Sequence, residues 1–252
     1  MSAGIKLLIS DLDGTILETE DYHRLAYNAL FRELGLQKSW SKQDYVDRLQ
    51  TMGGNKFREV FSWLGLPEKE FELTKKKLYQ QKTRLYTELI TEDLSSGKLS
   101  LRSGIKPLFD EVQKAGIPIA IGTACVGWAA REVVSSGLGI DFLESLAVLC
   151  GGESTKKQKP NPDIYLLVAE KCGVSPCSCI VLEDTRHGML AAKNAGMTCL
   201  VSPSEFAKDH DFSEADGYVA SWGGPPQVTL KNLENMKNHG RLDNDFLMPD
   251  LS

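Results

Sequence analysis

The chain has 252 residues, 42% of them hydrophobic and 25% charged, a globular composition long enough to enclose a sizeable core. The formal net charge of −5 comes with no basic face, which excludes nucleic-acid and membrane-surface partners. No run reaches the roughly 18 apolar residues that a membrane span needs, and the N-terminus lacks a signal-peptide pattern.

In chain order, "IKLLIS" (5–10) reads as a short strand buried on both faces, followed directly by "DLDGT", with Asp11 and Asp13 two residues apart. From about residue 20 the strand signals stop. Leu25, Ala26, Ala29 and Leu30 form one helical stripe ended by Gly35. "FREVFSWLGL" (57–66) gives a second helix and "EFELTKKKLYQQKTRLYTELI" (70–90) a long third. Gly53-Gly54 reads as a flexible loop and Ser95-Ser96-Gly97 as a return linker.

Beyond residue 100 strand and helix alternate. "IPIAIG" (117–122), "LAVLC" (146–150), "CIVL" (179–182) and "TCLV" (198–201) are apolar runs of strand length. Ile105, Leu108, Phe109 and Val112 lie on one helical face ahead of Gly116; Pro162-Asp163 opens another helix that ends near Gly173, and Gly188–Ala195 forms a third. Buried strands joined by helices imply a parallel sheet with right-handed crossovers. The expected organisation is an α/β core of residues 1–18 and 99–252, interrupted by an all-helical insert over 19–98. The last thirty residues are polar and give no clear element. Six cysteines, at 125, 150, 172, 177, 179 and 199, lack paired C-x-x-C spacing and read as free thiols.

In an open parallel sheet, ligands collect beyond the carboxyl ends of the strands. Asp11, Asp13, Thr123, Glu183 and Asp184 all fall at such ends, and Lys159 lies in the loop "KQKPNPDIY". Carboxylates, one hydroxyl and one lysine suit a hard divalent cation and a phosphate. Asp11 and Asp184 can supply carboxylates to Mg2+, with Glu183 close by and the Asp13 carbonyl available. Asp11 is the candidate nucleophile on phosphorus and Asp13 the candidate acid and base. Thr123, with the backbone amide of Ala124 after it, would hold phosphoryl oxygens, and Lys159 would offset their charge.

"DLDGT", "GTAC", "KPNPDIY" and "LEDTRHGMLAAKNAGM", in this order, resemble the haloacid dehalogenase-like (HAD) hydrolase superfamily over nearly the whole chain. The resemblance implies a Rossmann-like parallel-sheet core with an inserted helical cap. It makes Asp11 the nucleophile, Asp13 the acid/base, Thr123 and Lys159 the phosphate ligands, and Asp11, Asp13, Glu183 and Asp184 the holders of Mg2+. Dehalogenases of the superfamily lack the second aspartate, so Asp13 favours phosphate chemistry.

Charged groups in the insert are candidates for reading the rest of a substrate: Glu20 and His23, then Gly53, Gly54, Lys56 and Arg58 in "MGGNKFR", Lys82 beside Arg84 in "QQKTRLY", and Arg102 in "LSLRSGI" near the return. These stretches, with "VSPSEFAKDHDFSEAD", are similar to the CbbY-type subgroup, departing from it at Asn55, at Ser103, over Cys125–Trp128 and over Thr185–His187. That resemblance implies a phosphatase converting xylulose 1,5-bisphosphate, an inhibitory by-product of Rubisco, to xylulose 5-phosphate. It implies a soluble protein of the chloroplast stroma or a bacterial-type cytoplasm, and a monomer is expected. Two alternatives stand beside it: a β-phosphoglucomutase-like sugar-phosphate mutase, and a non-catalytic sugar-phosphate binder.

Overall fold

The computed structural model describes residues 4–49 and 54–240. They include strands β1 (Leu7–Ser10), β2 (Ile119–Gly122), β3 (Val148–Cys150), β4 (Cys179–Glu183), β5 (Thr198–Val201) and β6 (Gly217–Tyr218). The strand order is β3-β2-β1-β4-β5-β6, and every pairing is parallel. The fold is a Rossmann-like α/β core.

Strand β1 lies between β2 and β4 and is buried along its whole length. Leu7, Leu8 and Ile9 are fully buried, each contributing roughly 1.5–3 kcal/mol of apolar burial. Its register sets Ser10 beside Ile121 on one side and Leu182 on the other, so the residues after these strands emerge together.

The chain folds as two compact units, one formed by the chain up to Glu18 and from Leu99 onward, the other by Thr19–Lys98. The longer elements among the described residues of the second unit are all helices: α1 (Glu20–Glu33), α2 (Lys42–Leu49), α3 (Gly54–Leu64) and α4 (Phe71–Ser95). Helix α1 packs along α4, and an aromatic cluster fills the unit, with Trp40 4.8 Å from Tyr27 and 4.9 Å from Phe31 between ring centroids. Helix α2 is absent from the sequence reading because Tyr45 is its one clearly buried apolar residue among those described. Gly54 opens helix α3 and is not part of a loop; Gly53 lies outside the described residues.

In the first unit follow α5 (Ile105–Lys114), α6 (Gly127–Leu138), α7 (Ile140–Ser145), α8 (Asp163–Lys171), α9 (Arg186–Asn194) and α10 (Leu230–His239). Helices α8 and α9 cover one face of the sheet, where Tyr165, Val168, Met189 and Ala192 join Leu7, Ile9, Val181 and Cys199 in one apolar cluster. The polar tail does hold an element: Thr229 and Asn232 form a reciprocal capping box at the start of α10, whose Leu233 and Met236 are buried. All six cysteines are free. No described helix is long and apolar enough to cross a membrane.

Candidate active site

The loop after β1, the end of β4 and the loop before α8 bring four charged side chains together. Lys159 Nζ donates to Asp11 Oδ1 at 2.6 Å and to Glu183 Oε1 at 2.7 Å. Tyr165 Oη donates to the same Glu183 oxygen at 2.6 Å. The other oxygen of Glu183 accepts from the Asp184 and Thr185 amides at 2.9 and 3.1 Å and from Thr185 Oγ1 at 3.2 Å. Thr15 Oγ1 donates to Asp184 Oδ1 at 3.2 Å. Carboxylate oxygens of Asp11, Glu183 and Asp184 lie within 4.8 Å of one another, all three residues buried.

Two glycines make this packing feasible. Gly14 turns with φ +81°, and a Cβ there would lie 2.0 Å from Asp184 Oδ2. On α9, a Cβ at Gly188 would lie 1.7 Å from Glu183 Oε1.

The electrostatics show a deficit of positive charge. Burial pushes the Asp11 carboxyl up to about 8 against the pull of Lys159, with Glu183 and Asp13 adding to the rise. Burial, Glu183 and Asp11 hold Asp184 well above the ordinary carboxylate range. Glu183 is buried as well, yet Lys159 and its hydrogen bonds to Tyr165 and Thr185 carry it below its usual value. One ammonium therefore compensates one carboxylate and leaves two under-compensated. Hard oxygen donors short of positive charge fit a divalent cation.

Asp13 is partly exposed and outside this three-carboxylate group, so the donor expected of it remains its main-chain carbonyl. Thr123 is buried at the end of β2; its amide donates to the Cys150 carbonyl at 3.1 Å and its hydroxyl accepts from the Cys125 amide at 3.0 Å. Ala124, next to it, is exposed. Sequence reasoning missed Tyr165, Thr15, Thr185 and Gly188 as supports, although Tyr165 ends "KPNPDIY" and the other three lie within the quoted motifs.

In the helical unit, Lys82 Nζ hydrogen-bonds His23 Nδ1, and the His23 ring stacks on Tyr86 at 4.2 Å. The Lys82 ammonium lies 5.0 Å from the centre of the Tyr86 ring and 5.4 Å from that of Tyr27. Lys56, also buried, lies 5.5 Å over Tyr45, whose hydroxyl donates to Glu20 Oε1 at 2.8 Å. Burial, then Lys82 and Lys56, keep the His23 imidazole well below its ordinary pKa. Glu20, His23, Lys56 and Lys82 thus form one neighbourhood. Arg58 does not join it: its half-exposed guanidinium pairs with Glu68 and lies 3.5 Å over Phe71. Arg102 belongs to the first unit, where its guanidinium is bound to backbone carbonyls and Glu18.

Residues 5–196 match the family model of the haloacid dehalogenase-like hydrolases. The chain belongs to that family. As a HAD-like hydrolase it is an enzyme, a phosphoric monoester hydrolase in type. Its similarity to the CbbY proteins covers most of the chain. It is 36% identical over 228 residues to a CBBY-like protein of Arabidopsis thaliana, covering 87% of this chain and 70% of that one. To protein CbbY of Rhodobacter capsulatus it is 34% identical over 216 residues, covering 84% and 91%. The crystal structure of a CbbY variant from Rhodobacter sphaeroides in complex with xylulose-1,5-bisphosphate matches with a TM-score of 0.76 at 29% identity, covering 89% of this chain and 97% of that one.

Proposed function

We propose that this HAD hydrolase is a Mg2+-dependent phosphatase of small sugar bisphosphates, with xylulose 1,5-bisphosphate as its substrate and xylulose 5-phosphate as its product. The observation that carries the reading is the buried group of Asp11, Glu183 and Asp184 around a single lysine. The substrate is supported by similarity to CbbY proteins, one of which was crystallised with that bisphosphate.

Asp11 and Asp184, with the Asp13 carbonyl, would hold Mg2+, which supplies charge neutralisation for phosphoryl oxygens. Glu183 belongs to the same carboxylate group and also anchors Lys159 through Oε1. Asp11 attacks phosphorus in line; the P–O bond to the sugar breaks, and Asp13 gives its proton to the departing alkoxide. Asp13 then takes a proton from water, which attacks the aspartyl phosphate and releases inorganic phosphate with Asp11 regenerated. Lys159 and the Thr123 hydroxyl, with the Ala124 amide, stabilise the charge on the transferring group. We assign to the helical unit the role of a substrate-selecting cap, with its buried Lys56 and Lys82, and with Glu20 and His23, as the residues that read the substrate.

The test is release of inorganic phosphate from xylulose 1,5-bisphosphate, ribulose 1,5-bisphosphate and glucose 1-phosphate, with Mg2+ and with EDTA. The expected result is Mg2+-dependent release with the highest kcat/KM for xylulose 1,5-bisphosphate. Isomerisation of glucose 1-phosphate in excess of phosphate release would select a mutase. Absence of Mg2+-dependent release from every substrate would overturn the reading.

A further inference from the structure

Arg102 is a partly buried cation, its side chain 10% exposed, whose donors point into the first unit. Nη1 donates to the Gly14 carbonyl and, at 2.7 Å, to the Ser202 carbonyl. Nη2 donates to Ser202 Oγ at 2.9 Å and to the Pro203 carbonyl at 3.0 Å. Nε faces Glu18 Oε1 at 3.2 Å. A guanidinium suits this place because its planar fork reaches several acceptors at fixed angles, which an ammonium on a flexible stem cannot do.

The carbonyls it gathers belong to the two loops that hold Asp184. Gly14 packs against the Asp184 carboxylate, and Thr15, next in the chain, donates to Asp184 Oδ1 at 3.2 Å. Ser204, two residues after Ser202, hydrogen-bonds the same carboxylate. Trp222, fully buried, reinforces one of these loops by donating from Nε1 to the Thr15 carbonyl at 2.9 Å, and its ring lies 5.8 Å from the Arg102 guanidinium.

We infer that Arg102 is a positioning residue for the cation site: by clamping the Gly14–Thr15 loop to the Ser202–Ser204 loop it fixes where the Asp184 carboxylate presents its oxygens. The sequence alone placed Arg102 against substrate phosphate; its bound donors give it another task. The inference rests on the proposed function for the identity of the ion.

Mg2+ binding to the full-length protein, measured by isothermal titration calorimetry without substrate, tests it in the wild type, Arg102→Ala and Ser202→Ala. Loss of the clamp should weaken Mg2+ affinity about tenfold or more in Arg102→Ala, the range seen when groups behind a ligand are removed. Ser202→Ala, which loses one hydroxyl acceptor, should show a smaller weakening and decides the matter if Arg102→Ala does not fold. Millimolar guanidinium should restore Mg2+ affinity to Arg102→Ala, and at saturating Mg2+ the KM for the sugar bisphosphate should stay near the wild-type value. Unchanged Mg2+ affinity in the folded variants, whether with a raised KM or with a lowered Tm alone, overturns the inference while leaving the proposed function standing. A wild type that binds no Mg2+ and releases no phosphate overturns both, and that result is read before any variant is made.

Discussion

Lys159 and Asp11 meet in a 2.6 Å hydrogen bond between side chains only 9% and 8% exposed, and the same ammonium reaches Glu183. A buried charge cluster of this kind is costly to disturb from one side, because removing one partner leaves the other charges uncompensated. Replacing Lys159 with Met should therefore destabilise the fold by about 3–5 kcal/mol. Urea unfolding at neutral pH in EDTA measures this, and a loss below about 1 kcal/mol, the range of an exposed ion pair, would contradict it.

The Asp11→Asn substitution works in the opposite direction. It removes a carboxylate that burial already disfavours in its charged form, so the fold should keep its stability or gain a little. Turnover should fall by about a thousandfold or more, as when an essential nucleophile is removed. Phosphate release and a thermal melt of the same preparation separate the two effects; loss of Tm together with activity would show the residue to be structural.

Gly188 has no room for a side chain. Its Cβ would sit 1.7 Å from Glu183 Oε1, the atom that receives both Lys159 and Tyr165. Gly188→Ala should cost about 1–3 kcal/mol through overpacking and should lower kcat by displacing Lys159. Steady-state kinetics beside chemical denaturation test this. A variant with wild-type kcat would mean that Glu183 moves without moving Lys159.

His23 gives the helical unit a pH dependence of definite sign. Burial, with Lys82 and Lys56, depresses its folded-state pKa, so below about pH 6.5 the unfolded chain takes up a proton that the folded chain does not. Its contribution to stability is complete above that pH and declines on acidification, by at most about 1.4 kcal/mol per pH unit. Denaturation midpoints at pH 7.5 and 5.5, compared between wild type and His23→Gln, isolate this group. The variant should lose less stability on acidification, and parallel losses would refute the assignment.

The parts of this molecule that were legible in the sequence are those that the chain states locally. Apolar runs gave β1 to β5, and the grouping of Asp11, Glu183 and Asp184 followed from it, because strand-end residues keep a fixed relation to their strand. Elements with little apolar character were not legible: α2 buries Tyr45, α10 buries Leu233 and Met236, and β6 spans two residues whose pairing with β5 exists only in the sheet. Helices α6 and α7 were passed over between two clearer strands. Within the site, the residues that hold the acidic group were hidden for a different reason. Tyr165 meets Glu183 and Arg102 meets Ser202 across long stretches of chain, and no local pattern encodes either contact.

The placement of β1 in the middle of the sheet bears on how the protein is made. During translation this strand leaves the ribosome before either neighbour, yet its partners are Ile119–Ile121 and Cys179–Leu182, so its two hydrogen-bonding edges stay open until those distant segments are polymerised. The intervening helices satisfy their backbone groups without distant partners and are free to form during that interval. A nascent chain arrested before Cys179 would carry an unpaired apolar strand edge, and such truncated products are the forms of this protein most exposed to aggregation and chaperone capture.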